Sequence, residues 1–178
     1  MARAASGWAA PVGLAAAVVA VDQLTKHWAL NALADDRIID VVWTLRWNLA
    51  FNRGMAFSQA EGFGPLIAIV ATGVIVWLLL SLRSMGGWLN TVGMGLVIGG
   101  AAGNLVDRAF RNDAWLRGGV VDFIDFQWFP IFNIADIAIN VGAAALILNA
   151  LLMSRRDPGD AEPVEDESAP EPEPESAS

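Results

Sequence analysis

Val120 to Asp136 reads VVDFIDFQWFPIFNIAD. Three carboxylates, Asp122, Asp125 and Asp136, stand there among Val, Ile, Phe and Trp, and the stretch leads straight into the apolar run Ile137 to Met153. Carboxylates at the mouth of a membrane span are costly to hold, so they need a functional reason. Working outward, that run is a span of about 133–153 that stops at Arg155 and Arg156. Trp88 to Phe110 forms another, with Gly93, Gly95, Gly99, Gly100 and Gly103 permitting close helix approach. Gly64 to Leu82 is a span without charge, and RSMGG at 83–87 is too short for anything but a turn between antiparallel helices. The apolar N-terminal run from Trp8 has the look of a cleavable leader. It continues past Asp22 and Lys26 through His27, Trp28 and Leu30, so it is taken as a retained first span over about 9–29. Each has roughly the 20 residues that a bilayer core requires.

The fold class expected is a membrane all-α bundle of four transmembrane helices with a small β element. Residues 31–62 are too polar to span. RIIDVVWTLRWNLAFNRGMAFS alternates in part, with Val42, Thr44, Arg46 and Asn48 set against Trp43, Leu45 and Trp47. That pattern predicts two or three short strands in a sheet over about 36–58, lying on the membrane surface with Trp43 and Trp47 at the interface. Asn52, Arg53 and Gly54 read as a turn, and 111–132 as a loop. Residues 1–156 make one membrane domain. Residues 157–178 are acidic, rich in proline and free of aromatics, which predicts a disordered tail.

The formal charge of -8 misleads, because the tail holds nine acidic residues and no basic one. The rest carries ten acidic against eleven basic side chains, with no basic patch to suggest nucleic acid. There is no cysteine and a single histidine, His27. Thiolate chemistry and disulfides are excluded, and a His-based metal site or a Ser-His-Asp triad is disfavoured. Arginines lie on both sides of the spans, so the positive-inside rule does not orient the bundle.

In an up-down bundle, Asp22, Asp107, Asp122 and Asp136 all come to one side of the membrane. Two carboxylates held close share a proton. One then serves as base to a water while the other donates to a scissile carbonyl, which hydrolyses a peptide without Cys, His or metal. Spacing does not say which two pair. Asp22 has Lys26 four residues on and Asp107 adjoins Arg108, so both fit structural ion pairs. Asp122, Asp125 and Asp136 have no adjacent cation, and Asp125 is expected to be less deeply placed. Asp136 also suits the first turn of a helix, with Asn133 as its N-cap. An ion or proton path would spread charge through the depth of the membrane, whereas here it collects at one face. A structural subunit would not depend on these carboxylates. The GxGD signature of presenilin-like and prepilin peptidases is absent.

VDQLTK at 21–26, NRGMAFS at 52–58, GNLVDR at 103–108, VVDFIDF at 120–126 and FNIAD at 132–136 together resemble the bacterial lipoprotein signal peptidases, signal peptidase II. The resemblance covers about residues 10–153. It implies an aspartic endopeptidase of the bacterial inner membrane, with an extracytoplasmic sheet, cytoplasmic termini and no metal or organic cofactor. The substrates implied are prolipoproteins, cut just before a cysteine that carries diacylglycerol, so membrane lipids are partners too. Asp122 and Asp136 match the catalytic pair. Asp22, Lys26, Asn52, Gly54, Asn104, Asp107, Arg108 and Asn133 match supporting and substrate-positioning residues. A compact unit with one site is expected to be a monomer.

Overall fold

The computed structural model describes residues 3–54, 64–82, 86–111 and 116–155. The acidic tail, residues 55–58 of the expected sheet and part of the 83–87 turn lie outside the described residues.

Helix α1 (Arg3–Ala32) is followed by strands β1 (Ile39–Val42) and β2 (Leu45–Asn52), helices α2 (Gly64–Ser81) and α3 (Trp88–Phe110), strand β3 (Val120–Asp125) and helix α4 (Ile134–Ser154). Four helices, with the first counted from Trp8 to Ala32, are long and apolar enough to cross a membrane. The expected spans therefore stand, and the first helix is longer than the 9–29 expected.

Helix α3 is the hub, packing against α1, α2 and α4. Its glycines make this possible. A Cβ at Gly95 would meet Pro11 and Leu14, one at Gly99 would meet Ala15 and Val18, and one at Gly103 would meet the Asp22 carboxylate. These three positions, four residues apart, form the face that α1 occupies. Gly93 and Gly100 form the face for α4, where added carbons would meet Leu146, Gly142, Ala135 and Ile139. Without water to drive helices together inside a bilayer, such backbone proximity supplies the packing. Ala15, Leu78, Leu82, Met94 and Ile98 fill the space between α1, α2 and α3.

The sheet is antiparallel with strand order β1-β2-β3. Its third strand comes from the segment expected to be a loop. Asp122 sits opposite Ala50, and Asp125 opposite Arg46. Alternation failed to reveal β3 because all six of its residues are buried, so neither face meets solvent. The chain then folds back: the Phe123 and Ile124 amides donate to the Phe132 carbonyl, and the Phe132 amide to that of Ile124, at 2.9–3.1 Å. This return brings the start of α4 beside β3. Ala29 of α1 and Leu33 just after it pack with Phe123 and Ile124 beneath the sheet. Trp47 is part of that packing, edge-on to Trp28 at 5.8 Å. Trp43, at the hairpin tip, is 92% exposed.

The glycine faces give opposite expectations for the same substitution. A methyl at Gly100 falls on the Ala135 carbonyl, which cannot move without shifting the start of α4. Gly100→Ala is expected to cost about 1–3 kcal/mol. Gly13 has nothing within 4 Å of an added carbon, so Gly13→Ala is expected to be neutral or slightly stabilising. Thermal unfolding of both variants in detergent checks the difference.

Candidate active site

Lys26 lies on α1 and is fully buried. Its ammonium has three protons and meets three acceptors: Asp22 Oδ2 at 2.8 Å, Asp107 Oδ2 at 2.9 Å and Asn104 Oδ1 at 2.9 Å. Each donor of this charge is thereby matched, the condition for keeping a cation out of water.

The two carboxylates bound to Lys26 each reach a backbone amide. Asp22 Oδ1 accepts from the Ala135 N–H at 3.1 Å, and Asp107 Oδ2 from the Val121 N–H at 3.2 Å. Ala135 directly precedes Asp136, and Val121 directly precedes Asp122. One lysine on α1 thus holds the main chain just ahead of both carboxylates at the mouth of α4.

Asparagines complete the arrangement. Asn133 caps α4: its Oδ1 accepts from the Asp136 N–H at 3.0 Å, and Asp136 Oδ2 accepts from the Asn133 N–H at 3.1 Å. Because Oδ1 is taken by an amide, the Asn133 NH2 group must face the other way. There it donates to Asp122 Oδ1 at 2.6 Å and to Asn104 Oδ1 at 3.1 Å. Asn104 is oriented by the same logic. Its Oδ1 accepts from Lys26, so its Nδ2 faces Asp136 and donates to Oδ1 at 2.9 Å.

Asp122 and Asp136 line one open cavity of about 510 Å³ together with Asn52, Asn140 and the Phe129–Phe132 segment. Burial, and next the nearby Asp136 charge, push the Asp122 carboxyl up to about 7. Hydrogen bonds from Asn133 and Asn52 oppose that rise. Asn52 ends β2 and accepts the Gly54 amide at 3.2 Å, the turn expected for Asn52 to Gly54.

Two sequence expectations are corrected. Asp107 does not pair with its neighbour Arg108; its partners are Lys26 and Arg111, the latter at 2.6 Å. Adjacent helical residues point about 100° apart, whereas residues four apart share a face. Arg108 is buried near Asp122 and Asp136, and its Nε has no hydrogen-bond partner among the described residues. Asp125, screened from solvent but less deeply placed than Asp122 as expected, does have a cation: Arg46 across the sheet at 2.7 Å, with Asn48 at 2.9 Å. Burial alone would raise the Asp125 carboxyl, but hydrogen bonds from Asn48, Arg46 and the Gln127 amide hold it below the usual range.

Sequence reasoning also passed over Gln23 and Arg111. Gln23 was legible, one residue from Asp22 inside VDQLTK, and Arg111 stands four after Asp107 on the same helix face.

The chain matches the model of the family described as signal peptidase (SPase) II over residues 14–152. The chain belongs to the signal peptidase II family. It is 40% identical to a lipoprotein signal peptidase of Mycobacterium leprae over 139 residues, covering 77% of this chain and 69% of that one. Identity is also 40% to that of Mycolicibacterium smegmatis, with 84% and 67% covered, and to that of Rhodococcus jostii, with 78% and 71% covered. A bacterial membrane enzyme solved by the in meso method at 2.3 Å superposes with a TM-score of 0.73 at 28% identity, over 85% of this chain and 93% of that one. Family membership and the four apolar helices make this a multi-pass membrane peptidase of the aspartic type.

Removing Lys26 leaves Asp22 buried without a cation, while Asp107 retains Arg111. Lys26→Met is expected to cost about 3–5 kcal/mol. Adding Asp22→Asn removes the stranded charge and keeps an acceptor for Ala135, so it should restore part of the loss. Unfolding midpoints of the single and double variants in detergent measure this, and equal midpoints would contradict it.

Proposed function

We propose that this chain removes the signal peptide from diacylglyceryl-modified prolipoproteins, cutting before the lipidated cysteine, with Asp122 and Asp136 as the catalytic pair. The observation that carries the proposal is the meeting of these two carboxylates, from a strand and a helix 14 positions apart in sequence, at one open cavity.

The chemistry follows from the donors around them. Both Asp136 oxygens accept N–H groups, from Asn104 and Asn133, which suits a carboxylate. Asp122, whose carboxyl burial and the Asp136 charge push up to about 7, is the partner that holds the shared proton. A water between them loses a proton to Asp136 as it attacks the scissile carbonyl, while Asp122 protonates the carbonyl oxygen. The tetrahedral intermediate then collapses: the C–N bond breaks, the amine takes a proton, and the pair returns to one shared proton. Charge balance agrees with one proton. Asp22 and Asp107 are matched by Lys26 and Arg111. Arg108 then faces two carboxylates, which together balance it only when one is protonated.

Arg108 and Asn52 are assigned to hold substrate backbone or lipid ester carbonyls. The Arg108 Nε, buried and without a hydrogen-bond partner among the described residues, supports this role, as does the place of Asn52 on the cavity wall. Gly54 shapes the turn beside it. Asp22, Lys26, Asn104, Asp107 and Asn133 support the pair. Exposed Trp43, Trp128 and Phe129 suit the lipid headgroup region, where aromatic rings are favoured. The site then lies at the extracytoplasmic face of the inner membrane, with cytoplasmic termini, an acidic tail that takes no part in cleavage, and a monomeric enzyme.

Purified protein incubated with a diacylated prolipoprotein tests the function. Asp122→Asn and Asp136→Asn should each lower cleavage by at least about 10³-fold while folding is retained; full cleavage by either would end the assignment. The raised Asp122 carboxyl adds two expectations. Activity should fall as pH rises through about 7, when Asp122 loses its proton. Folding favours the protonated form, so stability is lost as pH rises from the ordinary carboxyl range through about 7. Asp122→Asn, neutral at every pH, should therefore be more stable than the parent at pH ~8, by on the order of 1–3 kcal/mol. Thermal unfolding across pH reads this directly.

A further inference from the structure

Asp22 and Asp107 are like charges held on one lysine, yet they grip different elements, α4 through Ala135 and β3 through Val121. The distance between these carboxylates therefore bears on the distance between Asp136 and Asp122. A second group spans them on another side. Gln23 Nε2 shares its two protons among Asp22 Oδ2 at 3.1 Å, the Gly103 carbonyl at 3.1 Å and Asp107 Oδ1 at 3.2 Å. Its amide cannot be turned round, because Oε1 accepts from the Arg111 guanidinium at 3.3 Å. Arg111 in turn donates Nε to Asp107 Oδ1 at 2.6 Å. The Asp107 carboxylate thus receives four donors, two on each oxygen: Lys26 and Val121 on Oδ2, Arg111 and Gln23 on Oδ1.

We propose that Gln23 and Arg111 are positioning residues that set the spacing of the two active-site carboxylates by locking Asp22 to Asp107. The proposal rests on the reading of Asp122 and Asp136 as the catalytic pair. Neither residue lines the cavity that holds that pair, so neither is placed to touch substrate. Their effect passes through two backbone amides, each one residue ahead of a reacting carboxylate. Gln23 ties three groups on two helices, and Arg111 closes the ring from the end of α3. Lys26 alone would let the two carboxylates pivot about a single ammonium; the Gln23 bridge supplies a second attachment and removes that freedom. A shift of about 1 Å in a reacting group can cost on the order of 10²-fold in rate, so a lock of this kind acts on turnover rather than on binding.

The test is steady-state cleavage of a diacylated prolipoprotein by full-length Gln23→Met, Arg111→Gln and the double variant, with Asp122→Asn in parallel. Gln23→Met keeps the length of the side chain and removes its hydrogen bonds. Each single variant should lose about 10–100-fold in kcat with KM within about twofold. The double variant should lose little more than the worse single one, because both act through one lock. Unchanged kcat in folded Gln23→Met would overturn the proposal. So would losses of kcat that multiply in the double variant, or a rise in KM that accounts for the whole effect. Should Gln23→Met fail to fold, Arg111→Gln decides, since its side chain is 24% exposed and lies at the rim. Cleavage by Asp122→Asn would instead show that the carboxylate pair was misassigned; an inactive Asp122→Asn beside a fully active Gln23→Met would reject the lock alone.

Discussion

Lys26 carries its charge inside the protein because each of its three N–H groups meets an acceptor, Asp22, Asp107 or Asn104. Everything near the cavity depends on this one ammonium. Through Asp22 it holds the first turn of α4, through Asp107 the second residue of β3, and through Asn104 the carboxylate of Asp136. Burying so many charges contributes little net stability, because desolvation offsets most of the Coulombic gain. What it supplies is geometry: α1, α3, β3 and α4 have one mutual arrangement in which all these partners are met.

The packing around the network serves the same end. Gly103 leaves no room for a side chain beside the Asp22 carboxylate, and Gly100 lets α4 approach at Ala135. Helix α3 can therefore carry Asn104, Asp107 and Arg108 into the space between its neighbours. The return of the chain from β3 through Phe132 to Asn133 then closes the site from the other side. Asp125 belongs to a separate clasp with Arg46 and Asn48 that fastens β2 to β3. This is why it can be shielded from solvent and still lie away from the cavity lining.

Much of this was legible in the sequence, and the exceptions have physical causes. The spans are long apolar runs, a signal that needs no partner to be read. The i,i+4 pairing of Asp22 with Lys26 and the capping role of Asn133 are local and were also readable. Strand β3 was not, since a strand buried on both faces shows no alternation. The partner of Asp107 was misread because adjacency in sequence is a poor guide on a helix, where Arg111 and not Arg108 shares its face. Asp125 appeared to lack a cation because Arg46 reaches it only across the sheet register. Gln23 stood inside a quoted motif, yet its role was not readable: an uncharged residue becomes informative only once the two carboxylates it bridges are known to meet.

With Asp22 and Asp107 balanced by Lys26 and Arg111, the remaining Arg108 faces Asp122 and Asp136, and the cluster is neutral when these two share one proton. Infrared difference spectroscopy in the carboxylic acid C=O stretching region, near neutral pH and in detergent, reads that proton directly. A single protonated-carboxyl band that disappears as pH is raised, and that is missing from Asp122→Asn, is the predicted result. A spectrum with no such band, or one whose band is unchanged in Asp122→Asn, would contradict it.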